Sequence, residues 1–305
     1  MQNLEQSNQI AIVGAGVAGL TAAILLTEAG HQPILFDKGR KIGGRLATRR
    51  TPAGLFDYGS PEVPKSGPWS SLVREPRLLP GHGLRQIFDR IDTRFGVQNG
   101  VEIAAISQDR SGWSLATSDN RSIGQFANVL ITSPAPQAKN LLDPLGLSEF
   151  DDLASVQMVP VWTVLVAFDE HLDCPDEVSA HSDVLAVRRM NGDGAAANHQ
   201  DRWVIQFTPE FSTNHFDAEK DTIADSARNV LSEAAKVELP PPTFLHTHRW
   251  RYAFAGKPLG RSFICSQEMG ILAGGDWALG RTVEDAVKSG AAMAHAVLSS
   301  KAVAV

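Results

Sequence analysis

Apolar and polar positions change rhythm early in the chain. Ile10, Ala11, Ile12 and Val13 form a short unbroken apolar run, the pattern of a strand buried on both faces. After a glycine-punctuated turn, apolar positions from Gly19 to Ala29 take helical spacing, and Gly30 supplies the stop signal. A second strand, Ile34-Leu35-Phe36, then ends on Asp37. The opening therefore predicts a strand–helix–strand unit.

The remainder divides by the same test. Residues 51–83 alternate prolines with glycines and read as a loop-rich connection. Leu84, Ile87, Phe88 and Ile91 form an i, i+3, i+4, i+7 stripe, which predicts a helix beginning near Gly83. Short strands are predicted around 101–107, 112–117 and 126–132, the last running into Ser133-Pro134-Ala135-Pro136. A β-branched run at 158–168 reads as a well-buried strand, and another strand follows at 202–208, with a loop from Asn191 to Gln200 between them. Asp217 to Lys236 has the pattern of an amphipathic helix ended by Pro240-Pro241-Pro242. Strands at Phe244–Tyr252 and Gly270–Ala273 and a helix from about Thr282 to Leu298 complete the chain. No internal repeat or low-complexity tract interrupts it.

The first turn carries the chemistry. In Gly14-x-Gly16-x-x-Gly19, the first glycine permits the tight turn, the second lets backbone approach a pyrophosphate, and the third lets helix pack on strand. The helix N-terminus offers unpaired N–H groups and a positive dipole end to phosphates. Asp37 is placed to take ribose hydroxyls. The following Arg40-Lys41-Ile42-Gly43-Gly44-Arg45 resembles the extension of flavoproteins that bind two dinucleotides, in which Gly-Gly backbone and arginine embrace the pyrophosphate of FAD. Lys38, Arg40, Val101 and Ser133 join the candidate cofactor-binding set.

Composition adds boundaries. A chain of 305 residues can hold one large or two medium domains, and 43% hydrophobic with 20% charged residues is ordinary for a soluble globular protein. A net charge of −6 argues against nucleic acid or an anionic membrane surface as a main partner. The basic cluster Arg45, Arg49 and Arg50 reads as charge matching beside the phosphate motif. The first nine residues lack a signal-peptide pattern, and no apolar stretch approaches the roughly 18–20 residues of a membrane span. Cys174 and Cys265 are far apart, which suits a reducing cytoplasmic setting with neither disulfide nor metal.

Two later segments supply the reacting end of the ligand. Gly274-Gly275-Asp276 follows a strand, so Asp276 can accept hydrogen bonds from ribityl hydroxyls or nearby backbone. Gly275 belongs to the same turn, and the helix opening at Thr282-Val283 can aim N–H groups at the N1/C2=O edge of a flavin. Period-2 alternation in the strand from Phe244 puts His246, His248, Trp250 and Tyr252 on one face. Such a face suits a wall beside an isoalloxazine ring; a half-exposed strand with satisfied histidines is the plainer alternative. No histidine pair has metal-ligand spacing.

Across almost its whole length the chain resembles the renalase family of FAD-dependent oxidases, within the monoamine-oxidase-like group. The matching segments include Gly43-Gly44-Arg45-x-Ala47-Thr48-Arg49, Phe56-Asp57-x-Gly59, Ser133-Pro134-Ala135-Pro136-Gln137-Ala138 and Pro160-x-Trp162. Further along they are His248-Arg249-Trp250-x-Tyr252-Ala253, Gly275-Asp276-Trp277 and Gly280-Arg281-Thr282-Val283-Glu284. The resemblance implies non-covalent FAD and oxidation of isomeric dihydronicotinamide dinucleotides, 2- or 6-dihydro-NAD(P), to NAD(P)+, with O2 reduced to H2O2. It implies His248 beside flavin and substrate, with Trp250 and Trp162 as further catalytic candidates. The segment after Gly59 is shorter than the family's, which implies a shortened or rebuilt roof over the substrate.

The expectation is an α/β protein: a Rossmann-like FAD-binding domain from 9–60, 81–134 and 246–303, a mixed-sheet α+β substrate domain at 137–245, and a loop-rich connection at 61–80. The partners expected are a small-molecule substrate and O2, with no obligate protein partner. Oxidation of an amine, a desaturase-type reaction, and FAD binding with little catalysis remain the alternative readings.

Overall fold

β1 (Ile10–Val13) is buried along its whole length at the middle of a six-stranded sheet. It leads through the glycine turn into α1 (Val17–Glu28) and back to β2 (Ile34–Asp37), which pairs parallel with it. A hairpin of β3 (Thr48–Thr51) and β4 (Gly54–Asp57) follows, then β5 (Gly96–Asn99) beside β2. β6 (Ile103–Asp109), β7 (Gly112–Thr117) and β8 (Ser122–Phe126) form a three-stranded antiparallel sheet, and β9 (Asn128–Ile131) returns to the far side of β1. The structure, a computed structural model, describes residues 9–70, 83–91, 95–110, 112–175, 181–190 and 200–301.

α2 (Ala135–Leu142) leads to a second sheet, made of β10 (Gln157–Phe168), β11 (Val184–Arg189) and β12 (Asp201–Phe207). Helices α3 (Pro209–Asn214) and α4 (Lys220–Ala235) come before its last strand, β13 (Phe244–Lys257). Its order is β11-β12-β10-β13, antiparallel throughout. The chain re-enters the first sheet as β14 (Ile264–Ser266) and β15 (Ile271–Ala273), then closes with α5 (Asp276–Leu279) and α6 (Val283–Lys301). The first sheet thus reads β14-β15-β9-β1-β2-β5, with only β14 antiparallel. The α/β architecture expected from the sequence is the one observed.

Side-chain period explains the layers. Ile10 and Ile12 face α1 and α6, while Ala11 and Val13 face the β6–β8 layer, so both faces of β1 are dry. α6 lies backbone to backbone on α1, because a Cβ on Gly290 would sit 2.2 Å from the Ala18 carbonyl oxygen. In the second sheet, Val164, Val166, Trp203 and Ile205 pack under α3 and α4, while Leu165, Ala167 and Val204 face Phe56 of the hairpin.

Several elements differ from expectation. The stretch from residue 51, read as loop, includes most of the β3–β4 hairpin; Pro52-Ala53 makes its turn and Gly54 takes φ +111°. The helix expected from Gly83 is a seven-residue 3-10 turn, Leu84–Arg90, whose first N–H donates to the buried Asp57 carboxylate at 2.9 Å. β8 and β9 are separate strands within and beside the single strand expected at 126–132. The boundary at residue 245/246 falls inside β13, which pairs with β10 from Phe244 to Lys257 and so belongs to the four-stranded sheet. The loop expected from Asn191 lies, apart from Gln200, outside the described residues, as does the part of the 61–80 connection beyond residue 70.

The short segment after Gly59 crosses the N-terminus of α6. Glu284 accepts from the Lys65 N–H at 2.6 Å and from the Ser66 hydroxyl, and Trp69 is buried with its Nε1–H on Thr21 of α1. Glu284→Ala should therefore release this strap. The Lys65 amide is expected to exchange its hydrogen roughly tenfold faster, the loss of about one charge-assisted hydrogen bond. An unchanged exchange rate would show that Trp69 alone holds the segment.

Candidate functional site

The glycine turn has the geometry its spacing predicts. Gly14 takes φ +111° and donates to the Phe36 carbonyl at 2.8 Å, folding the end of β1 against β2. A Cβ on Gly19 would meet the Gly14 carbonyl oxygen at 2.1 Å, so helix and turn touch at backbone distance. A Cβ on Gly16 would meet nothing within 4 Å. That open approach lies at the N-terminus of α1, where N–H groups have no intrahelical acceptor. Gly43 bonds back to this loop, its N–H donating to the Ala15 carbonyl at 2.7 Å, and Gly44 lies against Gly16. Ser133 Oγ is buried close by with no protein partner, and the Ser133 backbone N lies 3.2 Å from the position of a Gly14 Cβ. An open backbone cradle, free helix N–H groups and an orphaned hydroxyl fit the diphosphate of a dinucleotide.

Asp37 ends β2 as expected, and its carboxylate also braces the loop. It accepts from the Ala15 and Gly39 N–H groups, each at 2.6 Å, which leaves its other lone pairs for ribose hydroxyls. Val101 is tied beside it through an N–H on the Asp37 carbonyl at 3.0 Å. Lys38 and Arg40 are not drawn in. Lys38 pairs with Glu102 at 3.6 Å with both side chains 54% exposed, and Arg40 is exposed.

Arg45 and Asp276, expected to serve different parts of the ligand, meet each other. Arg45 presents its fork to Asp276, Nη1 to Oδ2 at 2.9 Å and Nη2 to Oδ1 at 2.6 Å, and Nη1 also donates to the Ala253 carbonyl at 2.7 Å. The pair is largely buried, with 29% and 8% of the side chains exposed. Of five guanidinium donors, Nε–H and one Nη2–H remain for a phosphate. The bridge joins the Gly43-Gly44 loop, β13 and the start of α5 at one point. Gly275 sits in that start, its N–H donating to Ser289 Oγ at 2.8 Å. Thr282 caps α6 reciprocally with Asp285, so the Thr282 N–H is already taken. Val283 and Glu284 then open the helix with the N–H groups free to face a ligand.

The β13 face is where the structure adds most. His248 stands opposite Thr163, with Trp250 ring-to-edge at 4.5 Å between centroids. Tyr58, from the hairpin, stacks on Trp250 at 5.1 Å and meets His248 edge-on at 5.2 Å; its carbonyl also accepts from Trp250 Nε1 at 3.1 Å. Burial, then the neighbouring His246, Arg49 and Lys220, push His248 down to about 4. His246 is lowered by the same means, burial first. Both imidazoles are neutral at physiological pH. Beside them opens a cleft of about 820 Å³ whose walls include Arg49, Lys220, His246 and Arg251.

Trp162 lines the same cleft, but from the other face of the sheet. It pairs with Arg249, one position out of phase with His248, and lies buried among the residues under α3 and α4; its Nε1–H donates to the His215 carbonyl at 2.9 Å. Strand alternation therefore puts it through the sheet from Trp250. Arg49 is a second correction: it lines the cleft beside the histidines rather than matching the phosphate loop. Tyr58 was hidden as the unspecified position of Phe56-Asp57-x-Gly59, and only its aromatic character there signals a role. Cys174 is buried in the second sheet's core and Cys265 lies on β14. Among the described residues no helix is long and apolar enough to cross a membrane.

Comparisons with known proteins agree on one group. A family profile described as flavin containing amine oxidoreductase matches residues 70–298, and one described as an NAD(P)-binding Rossmann-like domain matches residues 12–75. An L-amino-acid oxidase of Siganus canaliculatus is 44% identical over 66 residues, 21% of this chain and 12% of that protein. A 4,4'-diapophytoene desaturase of Staphylococcus haemolyticus is 46% identical over 105 residues, 32% of this chain and 21% of that protein. The alignments thus span less than a quarter of these relatives' lengths. Cyclohexylamine oxidase from Brevibacterium oxydans superposes with a TM-score of 0.72 at 12% identity, covering 98% of this chain and 100% of that one. A putrescine oxidase mutant superposes at 0.66 and 11% identity, covering 96% and 99%. At such identities the superpositions establish a shared fold.

Proposed function

We propose, for a chain that belongs to the flavin-containing amine oxidoreductases, that it is a renalase-like FAD-dependent oxidase of isomeric dihydronicotinamide dinucleotides, the 2- and 6-dihydro forms of NAD(P). FAD, bound non-covalently, would supply a hydride acceptor at N5, and O2 with one further proton would take the electrons as H2O2, leaving NAD(P)+.

The observation that carries this reading is the wall formed by neutral His248, Trp250 and Tyr58. Hydride transfer from a dihydropyridine needs a positioned, desolvated ring more than a strong acid, base or nucleophile. The wall offers flat aromatic surface and one uncharged imidazole able to accept a hydrogen bond. Arg45 and Asp276 hold the loop that would carry the diphosphate, and the N–H groups of Val283 and Glu284 would face developing negative charge. Oxidation of an amine is the second reading, which the names of the structural neighbours favour. The cations Arg49 and Lys220 beside the histidines disfavour a protonated amine there. FAD binding with little catalysis is the third. A cytoplasmic setting, with neither nucleic acid nor membrane as partner, completes the proposal.

Rapid mixing of the flavin-loaded protein separates these readings. Fast bleaching by 2- or 6-dihydro-NAD(P) supports the first, bleaching by primary amines the second, and bleaching by neither leaves the third. His248→Asn is expected to slow bleaching roughly 10- to 100-fold, the effect of a misplaced ring, while FAD content stays stoichiometric. With His248 titrating at about 4, the wild-type rate should show no step from this group between pH 5.5 and 8. The unfolded histidine binds protons more readily than the folded one. His248 therefore subtracts stability as pH falls from about 6.5 toward 4, not as it rises. Unchanged kinetics in His248→Asn would remove this residue from the site.

A further inference from the structure

Beside His248 the cleft carries cations drawn from two elements. Arg49 comes from β3 and Lys220 from the first position of α4, while Arg251 lies on the opposite face of β13, over the Phe216 ring. Among the described residues none of the three has a carboxylate within ion-pair distance. Between them lies His246, whose Nε2 is buried and has no hydrogen-bond partner. From this arrangement we infer that Arg49 and Lys220, with His246, recognise an anionic group of the substrate, a carboxylate or a phosphate, and so select the substrate class.

Burying part of an arginine without a counter-ion is costly, and the cost is recovered when an anion arrives. The carboxylates that line the same cleft lie at the start of α4, on either side of Lys220, and just before it. Asp217 is 93% exposed and stands 3.7 Å from Arg249, a different guanidinium that is stacked over the Phe216 ring. Glu219 and Asp221 lie at the N-terminus of α4, where the helix dipole favours them without a cation partner. The lowered pKa values of both histidines, to which Arg49 and Lys220 contribute, show that these charges are felt at the imidazoles. A fork-shaped donor beside a neutral ring nitrogen with no partner suits a flat or tetrahedral oxyanion. The inference rests on the oxidase reading for the word substrate, but the anion site is testable without turnover.

Calorimetric titration of the flavin-loaded protein with inorganic pyrophosphate, benzoate and neutral benzamide reads it directly. One of the two anions is expected to bind at least tenfold more tightly than benzamide, and which one binds tells phosphate from carboxylate recognition. Arg49→Gln should weaken that anion at least tenfold and Lys220→Gln about threefold, while exposed Arg50→Gln leaves it unchanged. If Arg49→Gln does not retain flavin, Arg49→Lys together with Lys220→Gln provides the comparison, with retention of charge expected to preserve most of the affinity. Equal binding of benzamide and both anions, or anion affinity indifferent to Arg49 and Lys220, overturns the inference. Anion binding without bleaching by dihydronicotinamides would leave the site standing and remove only the oxidase reading. Bleaching with an unaltered KM in Arg49→Gln would do the reverse.

Discussion

Gly19→Ala is expected to abolish flavin retention and to lower the melting temperature of the protein by several degrees. The added methyl would sit 2.1 Å from the Gly14 carbonyl oxygen and 2.8 Å from Thr132 Oγ1. The nearer of these is backbone and cannot swing aside, and the hydroxyl is itself bonded to that same carbonyl at 2.9 Å. Overpacking of this kind costs about 1–3 kcal/mol and moves α1 off the turn. Gly16→Ala is the informative contrast. Gly16 has φ −76°, which alanine adopts freely, and its methyl would enter space empty of protein. The apoprotein should therefore melt as the wild type does, while FAD affinity falls by an order of magnitude or more. Equal effects of the two substitutions on apoprotein melting would show that the turn is not rigid and would remove the cradle argument.

Arg45→Met carries the other large effect. It leaves Asp276, 8% exposed, without its bidentate partner, and breaking a buried pair from one side costs about 3 kcal/mol, the low end because Arg45 is partly wet. The liberated carboxylate would also repel a diphosphate, so FAD affinity should fall at least 100-fold. Asp276→Asn keeps an acceptor for the fork and leaves Arg45 charged, so it should retain most FAD binding with a smaller loss of stability. In Arg45→Met with Asp276→Leu, stability should recover toward the wild type while flavin stays weakly held. Chemical denaturation read beside flavin titration separates the two quantities. Similar FAD affinity in Arg45→Met and Asp276→Asn would deny Arg45 any role toward the phosphate.

Local rules carried the cofactor half of the site. Gly14, Gly16 and Gly19 act through turn sterics and approach within a few residues of one another, so their spacing alone states their geometry. The expected meaning of Arg45 and Asp276 survived only in part. Each was read against a ligand, and the bond between them spans 231 residues of sequence, which no local pattern reports. The substrate half was less legible for the same reason. Trp162 does reach the cleft, but on the face set by pairing with Arg249 and not with His248, which its sequence neighbours do not report. The β3–β4 hairpin escaped because Thr48–Thr51 is polar and charged; it is held from outside by Arg202 on the Leu55 carbonyl and Gln206 on the Gly59 carbonyl, each at 2.9 Å. With the hairpin unseen, neither Tyr58 nor Arg49 could be brought to the histidines.

The Arg45–Asp276 bridge also sets an order of events during synthesis. The glycine loop is made within the first fifty residues, but its guanidinium clasp and the neighbouring strand β15 come from residues 271–276. At translation rates of roughly 5–20 residues per second, the loop waits on the order of ten to fifty seconds for its partners. Through that interval the nascent chain carries an unclasped arginine and a half-covered parallel sheet. Stable capture of flavin therefore waits until β15 and Asp276 have been made.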